Sequence, residues 1–339
     1  MIKLVAGWEL IRGDLTKNNI DFDTLWTRFN YVFSDSCPKT STYKFGFIKA
    51  ILDNLLSVIP SDLGMELTFE DIFSKFAENY WNLITKYHLK QLRINRPNTE
   101  NVVSKLEQTF LSILDQEPSA ASIEFENLSS KDKAIIVKQV QKDCSKNVIG
   151  ALYKDFNGEL YGFDKSSARI WIHNGAYQFL WAHKQEIERL NYYAWAKFLE
   201  RINSDSVSNK LLDKLEEATP RRQNLTPYRD ILRKEFETDT CFYCGRKLHK
   251  TPHVDHVIPW SFIKSDHLWN FVLACPSCNT RKKDQLPNRQ KLAAVVTRNE
   301  SLSNSDSSIV RLEFKGYNEN LLWQLWDYAY KRGLHVYQP

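Results

Sequence analysis

The chain has 339 residues, a length typical of about two domains, and 42% of them are hydrophobic, with only 11 glycines and 11 prolines. This composition excludes a disordered, collagen-like or low-complexity chain. No apolar run reaches the roughly 18 residues that a membrane-spanning helix needs. The apolar stretch at the start is too short for a signal peptide. We therefore expect a cytoplasmic protein that does not contact a membrane.

Positive charge is concentrated in one part of the chain. The whole chain has a net charge of +5, but residues 221–300 hold 15 Lys and Arg against 8 Asp and Glu, a net of +7. The remaining residues have a net charge of −2. A local basic region is typical of a protein that binds a polyanion. A solvated basic face without a ligand explains the charge equally well, so charge alone leaves both interpretations open.

The first 145 residues are predicted to be mainly helical. Thr68 precedes a long stripe of apolar residues at helical spacing, with Glu70 and Asp71 in its first turn, as at a helix N-terminus. Further stripes follow as far as Val140, and we expect all of them to be packing surfaces rather than a cofactor site. We assign residues 1–145 to a helical recognition or regulatory domain.

The pattern changes after residue 145. Residues 148–153 and 160–163 flank Asn157 and Gly158, which predicts a β-hairpin because both turn residues tolerate a positive φ. A third short strand is expected at 169–172, and helical periodicity then returns. We assign residues 146–235 to a mixed hairpin and helical region that continues the N-terminal domain.

The end of the chain is predicted to contain a linker and one helix. Residues 299–308 are rich in Ser and Asn, as in a linker, and an apolar stripe from Leu321 to Ala329 then predicts a helix that Gly333 ends. We assign residues 236–298 to a separate domain and 299–339 to the linker and the C-terminal helix.

The six cysteines point to a metal site in the separate domain. Two Cys-x2-Cys pairs, separated by 30 residues, suit one tetrahedral zinc ion in a chain that we expect to be cytosolic and therefore without disulfides; they are Cys241 and Cys244, and Cys275 and Cys278. A redox pair is the alternative, but the second matching pair disfavours it. Cys37 and Cys144 are isolated, and we expect both to be small buried hydrophobes.

Residues able to do acid-base and metal chemistry lie between and just after these pairs. Asp255 and Asn279 offer oxygen ligands that suit Mg²⁺. His256 can be neutral near pH 7 and accept a proton from water. Asn270 can make side-chain hydrogen bonds that fix a loop.

Basic residues surround this group. The three that follow Asn279 directly are expected to contact phosphates, although exposure to solvent alone is the alternative; they are Arg281, Lys282 and Lys283. His253 lies two residues before Asp255 and shares its strand face. It either assists at the metal or at a phosphate, or is structural or exposed.

Taken in order, these residues resemble an HNH nuclease domain over residues 238–286. The matching positions are Cys241, Cys244, Cys275 and Cys278 for zinc, and Asp255, His256, Asn270 and Asn279 for the active site. The sequence is most similar to variants that end in Asn, which include the HNH domain of RNA-guided CRISPR effectors. The resemblance implies a zinc-stapled ββα-metal fold that hydrolyses a phosphodiester bond and leaves 5′-phosphate and 3′-hydroxyl ends.

The same resemblance implies a role for each active-site residue. His256 is expected to be the general base, and Asn270 is expected to orient the loop that carries it. Asp255 and Asn279 are expected to hold one Mg²⁺ or Mn²⁺, since oxygen ligands favour these ions over soft transition metals. One such site cuts one strand, so a double-strand break requires a homodimer or two successive events.

Residues 39–45 and 195–203 resemble, more weakly, HNH proteins of prokaryotic restriction and anti-phage islands. The hypothesis is that the helical region recognises DNA, a partner protein or a signal and controls the nuclease. We thus expect an α+β protein: a mainly helical N-terminal region with a small β-hairpin element, a zinc-stapled HNH nuclease domain and a C-terminal helix. The function expected is metal-dependent DNA cleavage in antiviral defence. The alternatives are a non-cleaving, zinc-stabilised nucleic-acid-binding module and an RNA-cleaving nuclease.

Overall fold

The computed structural model describes residues 6–16, 20–55, 64–93, 104–116, 123–204, 210–217, 225–236, 239–248, 252–263, 265–303, 307–314 and 317–338. The chain divides into two compact units, Met1–Thr219 and Pro220–Pro339. In the first unit the strands form one antiparallel sheet in the order β1-β3-β4-β2; they are β1 (Arg12–Gly13), β2 (Gly64–Thr68), β3 (Gly162–Asp164) and β4 (Arg169–His173). The α-helices described in this unit are α1 (Phe22–Phe33), α2 (Tyr43–Asn54), α3 (Phe69–Thr85), α4 (Lys105–Gln116), α5 (Ser130–Asp155), α6 (Asn174–Ala182), α7 (Lys184–Glu200) and α8 (Leu211–Glu217).

Helix α3 begins where the sequence predicts. The Thr68 hydroxyl accepts a hydrogen bond from the Asp71 amide (3.1 Å), and the Asp71 carboxylate accepts one from the Thr68 amide (2.9 Å), which is a capping box. Helix α3 packs against α2, and Gly46 allows the close approach. A Cβ at residue 46 would lie 2.2 Å from the Tyr80 ring.

The hairpin lies later in the chain than predicted. Asn157 and Gly158 do adopt positive φ values of 54° and 67°, but they end helix α5 instead of joining two strands. The Gly158 amide donates to the Tyr153 carbonyl (2.9 Å), as at a helix C-terminus. The hairpin is formed by β3 and β4, in which Phe163 pairs with Ile170. The third predicted strand, 169–172, is therefore one of its two strands.

Helix α5 also crosses the expected boundary after residue 145. Its buried stripe continues through that point without a break, and a helix that buries one continuous face is not interrupted there; the stripe includes Val140, Cys144, Val148 and Leu152. Residues 148–153 are accordingly helical, and the helix belongs to one unit.

The second unit contains a two-stranded antiparallel sheet of β5 (His253–His256) and β6 (Phe271–Ala274), with Asp255 opposite Val272 and His256 opposite Phe271. Its described α-helices are α9 (Thr226–Phe236), α10 (Trp260–Ile263), α11 (Pro276–Lys282), α12 (Arg289–Ser303), α13 (Ser308–Glu313) and α14 (Glu319–Lys331). Strands β5 and β6 followed by α11 form a ββα unit. With the helical first unit and its small hairpin, this confirms the expected α+β class.

This unit begins before the expected boundary at residue 236. Helix α9 packs against both β5 and β6, and the ring of Tyr228 lies 4.8 Å from that of Phe271. The helix therefore covers the sheet of the second unit and does not extend the first.

Part of the expected linker at 299–308 is helical. Residues 299–303 complete helix α12, where the wholly buried Asn299 donates its amide to the Trp269 carbonyl (2.8 Å). Residues 304–306 lie outside the described part of the chain. Helix α14 forms as predicted and packs against α12, and Gly333 follows it with a φ of 88°. Among the described residues, no helix is long and apolar enough to span a bilayer.

Candidate active site and zinc centre

The four predicted zinc ligands lie together. The sulfur atoms of Cys241, Cys244, Cys275 and Cys278 are all within 4.8 Å of one another, and the Cys244 and Cys275 sulfurs are 4.0 Å apart. Four thiolates on a tetrahedral zinc ion, with Zn–S bonds of about 2.3 Å, have sulfurs about 3.8 Å apart. The cluster therefore fits a structural zinc ion.

Two local turns aim the thiols at one point. In the first, Gly245 has a φ of 70° and donates its amide to the Cys241 carbonyl (2.8 Å). In the second, Cys275 is the N-cap of α11 and Cys278 lies in the first turn of that helix. The Phe242 amide donates to the Leu273 carbonyl (2.9 Å) and so joins the first turn to strand β6.

The surroundings of the thiols affect their acidity in opposite directions. A hydrogen bond from the Arg246 amide lowers the pKa of Cys244 to about 7. Burial raises the pKa of Cys278 to about 12. Because zinc binds the thiolate form, ion binding and thiol deprotonation are coupled at this cluster.

A cavity of about 320 Å³ brings four of the predicted active-site and phosphate-binding residues together. Its lining consists of Leu225, Val254, Asp255, His256, Pro259, Trp260, Asn279, Lys283 and Asp284. Asp255 and His256 come from the end of β5, whereas Asn279 and Lys283 come from α11 and its C-terminus. The ββα unit thus places the carboxylate, the imidazole, the amide and one cation around a single space.

Asp255 is held through one of its two oxygens. Its Oδ2 accepts a hydrogen bond from the Tyr243 hydroxyl (2.6 Å) and lies 3.2 Å from Lys282 Nζ. Burial raises the pKa of Tyr243 well above its usual range, so the phenol stays protonated and can donate. No contact to Oδ1 is found among the described residues. Oδ1 is therefore the carboxylate oxygen left to bind a cation in the cavity.

Lys282 does not lie at the surface, contrary to the prediction that it contacts phosphate. Its side chain is wholly buried, and its Nζ donates to the His256 carbonyl (2.7 Å) as well as facing Asp255. The reason is the helical period: Cys278 and Lys282 are four residues apart on α11, and both are buried. Lys282 is an internal counterion, while Arg281 and Lys283 on either side of it are exposed.

His256 is fixed through its ring as well as its backbone. Its Nε2 lies 2.7 Å from Asp266 Oδ1, and both side chains are more than nine-tenths buried. The ring meets that of Phe271 edge to face, with 4.7 Å between the centroids. The sequence motif contains no signal for the contact with Asp266.

Asn270 does not line the cavity. It is wholly buried, and its side-chain amide both accepts from the Ile258 amide and donates to the Ile258 carbonyl, each at 2.9 Å. Its own carbonyl accepts from the Val257 amide (2.8 Å). Asn270 therefore closes the segment that directly follows His256.

Asn279 and His253 are partners. Asn279 Nδ2 donates to His253 Nδ1 (3.0 Å), which leaves the amide oxygen of Asn279 as the acceptor toward the cavity. His253 is exposed and lies outside the cavity lining. One carboxylate oxygen from Asp255 and one amide oxygen from Asn279 form a donor set that fits a hard divalent cation.

Sequence reasoning missed two residues of this site. Tyr243 lies inside the first Cys-x2-Cys pair, where its position suggests only a spacer. Asp266 lies ten residues after His256 in a connecting segment, and no regular spacing relates the two. Both contacts depend on the folding of loops, so only the structure reveals them.

Comparison with known proteins agrees with this geometry. Residues 241–285 match the family model described as HNH endonuclease. The match contains both cysteine pairs and Asp255, His256, Asn270 and Asn279. Neither the curated proteins nor the solved structures contain a match to the chain. The chain is therefore similar to the HNH endonuclease family over residues 241–285, and this similarity suggests nuclease activity.

Proposed function

We propose that the protein is a metal-dependent endonuclease that hydrolyses phosphodiester bonds in DNA. The observation that carries the proposal is the cavity that Asp255, His256, Asn279 and Lys283 line together. It combines a base, two oxygen ligands and a cation, which are the groups that phosphodiester hydrolysis requires.

In the proposed reaction, His256 takes a proton from a water molecule in the cavity. The oxygen of that water forms a bond to phosphorus as the bond between phosphorus and the 3′ oxygen breaks. The 3′ oxygen takes a proton from solvent, so the products carry a 5′-phosphate and a 3′-hydroxyl. When bound by Asp255 and Asn279, Mg²⁺ or Mn²⁺ would supply positive charge to the scissile phosphate and the leaving oxygen.

The surrounding residues keep these groups in place. Lys282 and Tyr243 hold Oδ2 of Asp255, so that its other oxygen is left for a metal ion. Asn270 fixes the peptide that follows His256, which supports its proposed role in orienting the His256 loop. His253 orients the Asn279 amide.

The net positive charge of residues 221–300 and the two exposed cations next to the site support a nucleic-acid substrate, and we propose DNA because the chain resembles HNH proteins of prokaryotic restriction and anti-phage islands. Arg281 and Lys283 are both exposed, and Lys283 lines the cavity. These cations would bind phosphates on either side of the cut. Phosphate contacts are common to DNA and RNA, so the cleavage assay includes both substrates.

A role in prokaryotic defence is a separate part of the proposal. It is supported by the weak resemblance of residues 39–45 and 195–203 to defence proteins. These two segments pack together in the first unit, where the rings of Phe45 and Trp195 are stacked 6.2 Å apart. We further propose a cytoplasmic location, where thiols remain reduced, and control by a partner, a signal or homodimer formation.

The decisive experiment incubates the purified full chain with supercoiled plasmid and with RNA, in Mg²⁺ or Mn²⁺. We expect nicked and then linear DNA, and a loss of at least about 100-fold in His256→Ala because the general base is removed. His335→Ala is the matched control, since His335 is exposed in the same unit and does not line the cavity.

Each alternative has its own result in this assay. Cleavage that survives His256→Ala contradicts the mechanism. Binding without cleavage in every metal supports the zinc-stabilised binding module, and cleavage of RNA alone supports the RNA nuclease. Cleavage that appears only after cell extract is added would reveal an activating partner. Plaque counts on cells that express the wild type or His256→Ala test the defence role.

A further inference from the structure

The most informative contact outside the sequence motif joins His256 to a carboxylate. His256 Nε2 and Asp266 Oδ1 are 2.7 Å apart, with 7% and 6% of the two side chains exposed. Asp266 does not line the cavity, whereas His256 does. Because Asp266 occupies Nε2, Nδ1 is the ring nitrogen left for a ligand in the cavity.

We propose that Asp266 is a positioning residue that holds His256 in the tautomer with hydrogen on Nε2, leaving Nδ1 as the nitrogen that accepts the proton from water. A carboxylate can accept a hydrogen bond but has no hydrogen to donate, so the nitrogen that faces it carries the hydrogen. In a neutral imidazole, the other nitrogen then holds the lone pair. The proposal rests on the proposed function of His256 as the general base.

The other contacts of His256 do not select a tautomer. Lys282 binds the His256 carbonyl, and Asn270 binds the peptides that follow it, so both act on the backbone. Phe271 restricts the plane of the ring but contacts it edge to face and offers no hydrogen-bonding atom. A half-turn of the ring about the Cβ–Cγ bond would put Cε1 in the place of Nε2 and Cδ2 in the place of Nδ1 while keeping these three contacts. Asp266 is the described contact that opposes such a turn.

This arrangement extends the proposed mechanism by one residue. A general base works when its proton-accepting atom is directed at the water before reaction, and a carboxylate on the opposite nitrogen also stabilises the imidazolium that forms. Asp266 performs both tasks without touching substrate. Its loss should therefore lower kcat much more than it raises KM.

The tautomer of His256 can be measured by NMR spectroscopy, without a cleavage assay. The full chain is labelled with ¹⁵N-histidine, and long-range ¹H–¹⁵N correlations are recorded in the absence of divalent cations other than zinc. His256→Ala identifies the signals of His256 among those of the eight histidines. We expect hydrogen on Nε2 and a bare Nδ1 in the wild type. Hydrogen on Nδ1 in the wild type would overturn the proposal, whatever the variants do.

Variants then test the role of Asp266. Asp266→Asn keeps the shape of the side chain but loses its charge, and its amide can donate as well as accept. We expect a mixture of tautomers and a loss of about 10- to 100-fold in kcat, with KM within about twofold of the wild type. Asp266→Glu restores a carboxylate and should recover part of both losses. Asp327→Asn is the control, because Asp327 is an exposed carboxylate that pairs with Arg289 in the same unit.

The outcomes separate this inference from the proposed function. An Asp266→Asn protein with the wild-type tautomer overturns the positioning role, whether or not kcat falls, and so does one with an altered tautomer and full kcat. If His256→Ala still cleaves, the proposed function fails instead, while the tautomer measurement remains valid. If Asp266→Asn does not fold, the wild-type spectrum and Asp266→Glu decide.

Discussion

Asn270→Ala should lower the free energy of unfolding of the second unit, although Asn270 does not line the cavity. The substitution removes two hydrogen bonds of 2.9 Å and leaves the amide and the carbonyl of Ile258 without side-chain partners in a wholly buried region. Each buried polar group left unsatisfied costs about 1–3 kcal/mol, so the free energy of unfolding should fall by about 2–6 kcal/mol. That is a large part of the stability of a typical domain.

Asn279→Ala provides the matched control. Asn279 carries the same amide, but it is partly exposed and its partner His253 lies at the surface. Its loss should change the free energy of unfolding by no more than about 0.5 kcal/mol. Because Asn279 lines the cavity, its loss should nevertheless abolish most of the cleavage activity.

The assay unfolds the full chain in urea and monitors unfolding by the release of zinc to a coloured chelator. Zinc release reports on the second unit alone, because the four cysteines all lie in that unit. Asn270→Ala should shift the midpoint of zinc release to a lower urea concentration, and Asn279→Ala should leave it unchanged. Equal midpoints for Asn270→Ala and the wild type would refute the stabilising role of the hydrogen bonds between Asn270 and Ile258. A midpoint shift in Asn279→Ala as large as that in Asn270→Ala would refute the claim that Asn270 stabilises the unit while Asn279 serves the cavity.

Four further predictions each concern a single substitution. Lys282→Met should lower the free energy of unfolding by about 3–5 kcal/mol because it leaves a buried carboxylate without its cation, as zinc release in urea would show. Lys283→Met should leave that stability unchanged but reduce the slope of DNA binding against the logarithm of salt concentration by about 1, and an unchanged slope would contradict the phosphate contact. Cys275→Ser should lower both the zinc content and the melting temperature of the second unit, whereas Cys37→Ser, in the first unit, should keep one zinc per chain by elemental analysis. Thr68→Ala should destabilise the first unit by about 1 kcal/mol through loss of its cap, without affecting zinc release; equal urea midpoints by circular dichroism would count against the cap.

The parts of the structure that could be predicted from sequence are those with a local cause. Thr68 and Asp71 form a capping box through atoms three residues apart, so the start of α3 can be read directly. The zinc cluster is equally accessible, because a Cys-x2-Cys pair makes a turn of fixed geometry. The cavity group of Asp255, His256 and Asn279 follows from the motif.

The parts that could not be predicted depend on distant contacts. Asn157 and Gly158 have the backbone of a hairpin turn, but the buried stripe that reaches Leu152 makes the preceding segment a helix. The four-residue spacing of Cys278 and Lys282 explains the burial of Lys282 only once α11 and its buried face are known, so the sequence alone did not show that Lys282 turns inward while Lys283 stays exposed. That difference arises from the face of α11 that meets the sheet, and it reversed the predicted role of Lys282.

Helix α11 has a practical consequence for metal experiments. It carries the zinc ligand Cys278 and the candidate magnesium ligand Asn279 as consecutive residues. A strong chelator will therefore inactivate the protein by two routes, since loss of zinc also frees the start of the helix that presents Asn279. Inhibition by a chelator alone then says little about which ion the reaction needs. The informative measurement is to add the ions back one at a time after the chelator is removed. The fraction of activity that Mg²⁺ alone restores gives the fraction of molecules that kept their zinc. The rest of the activity should return only when zinc and Mg²⁺ are both supplied.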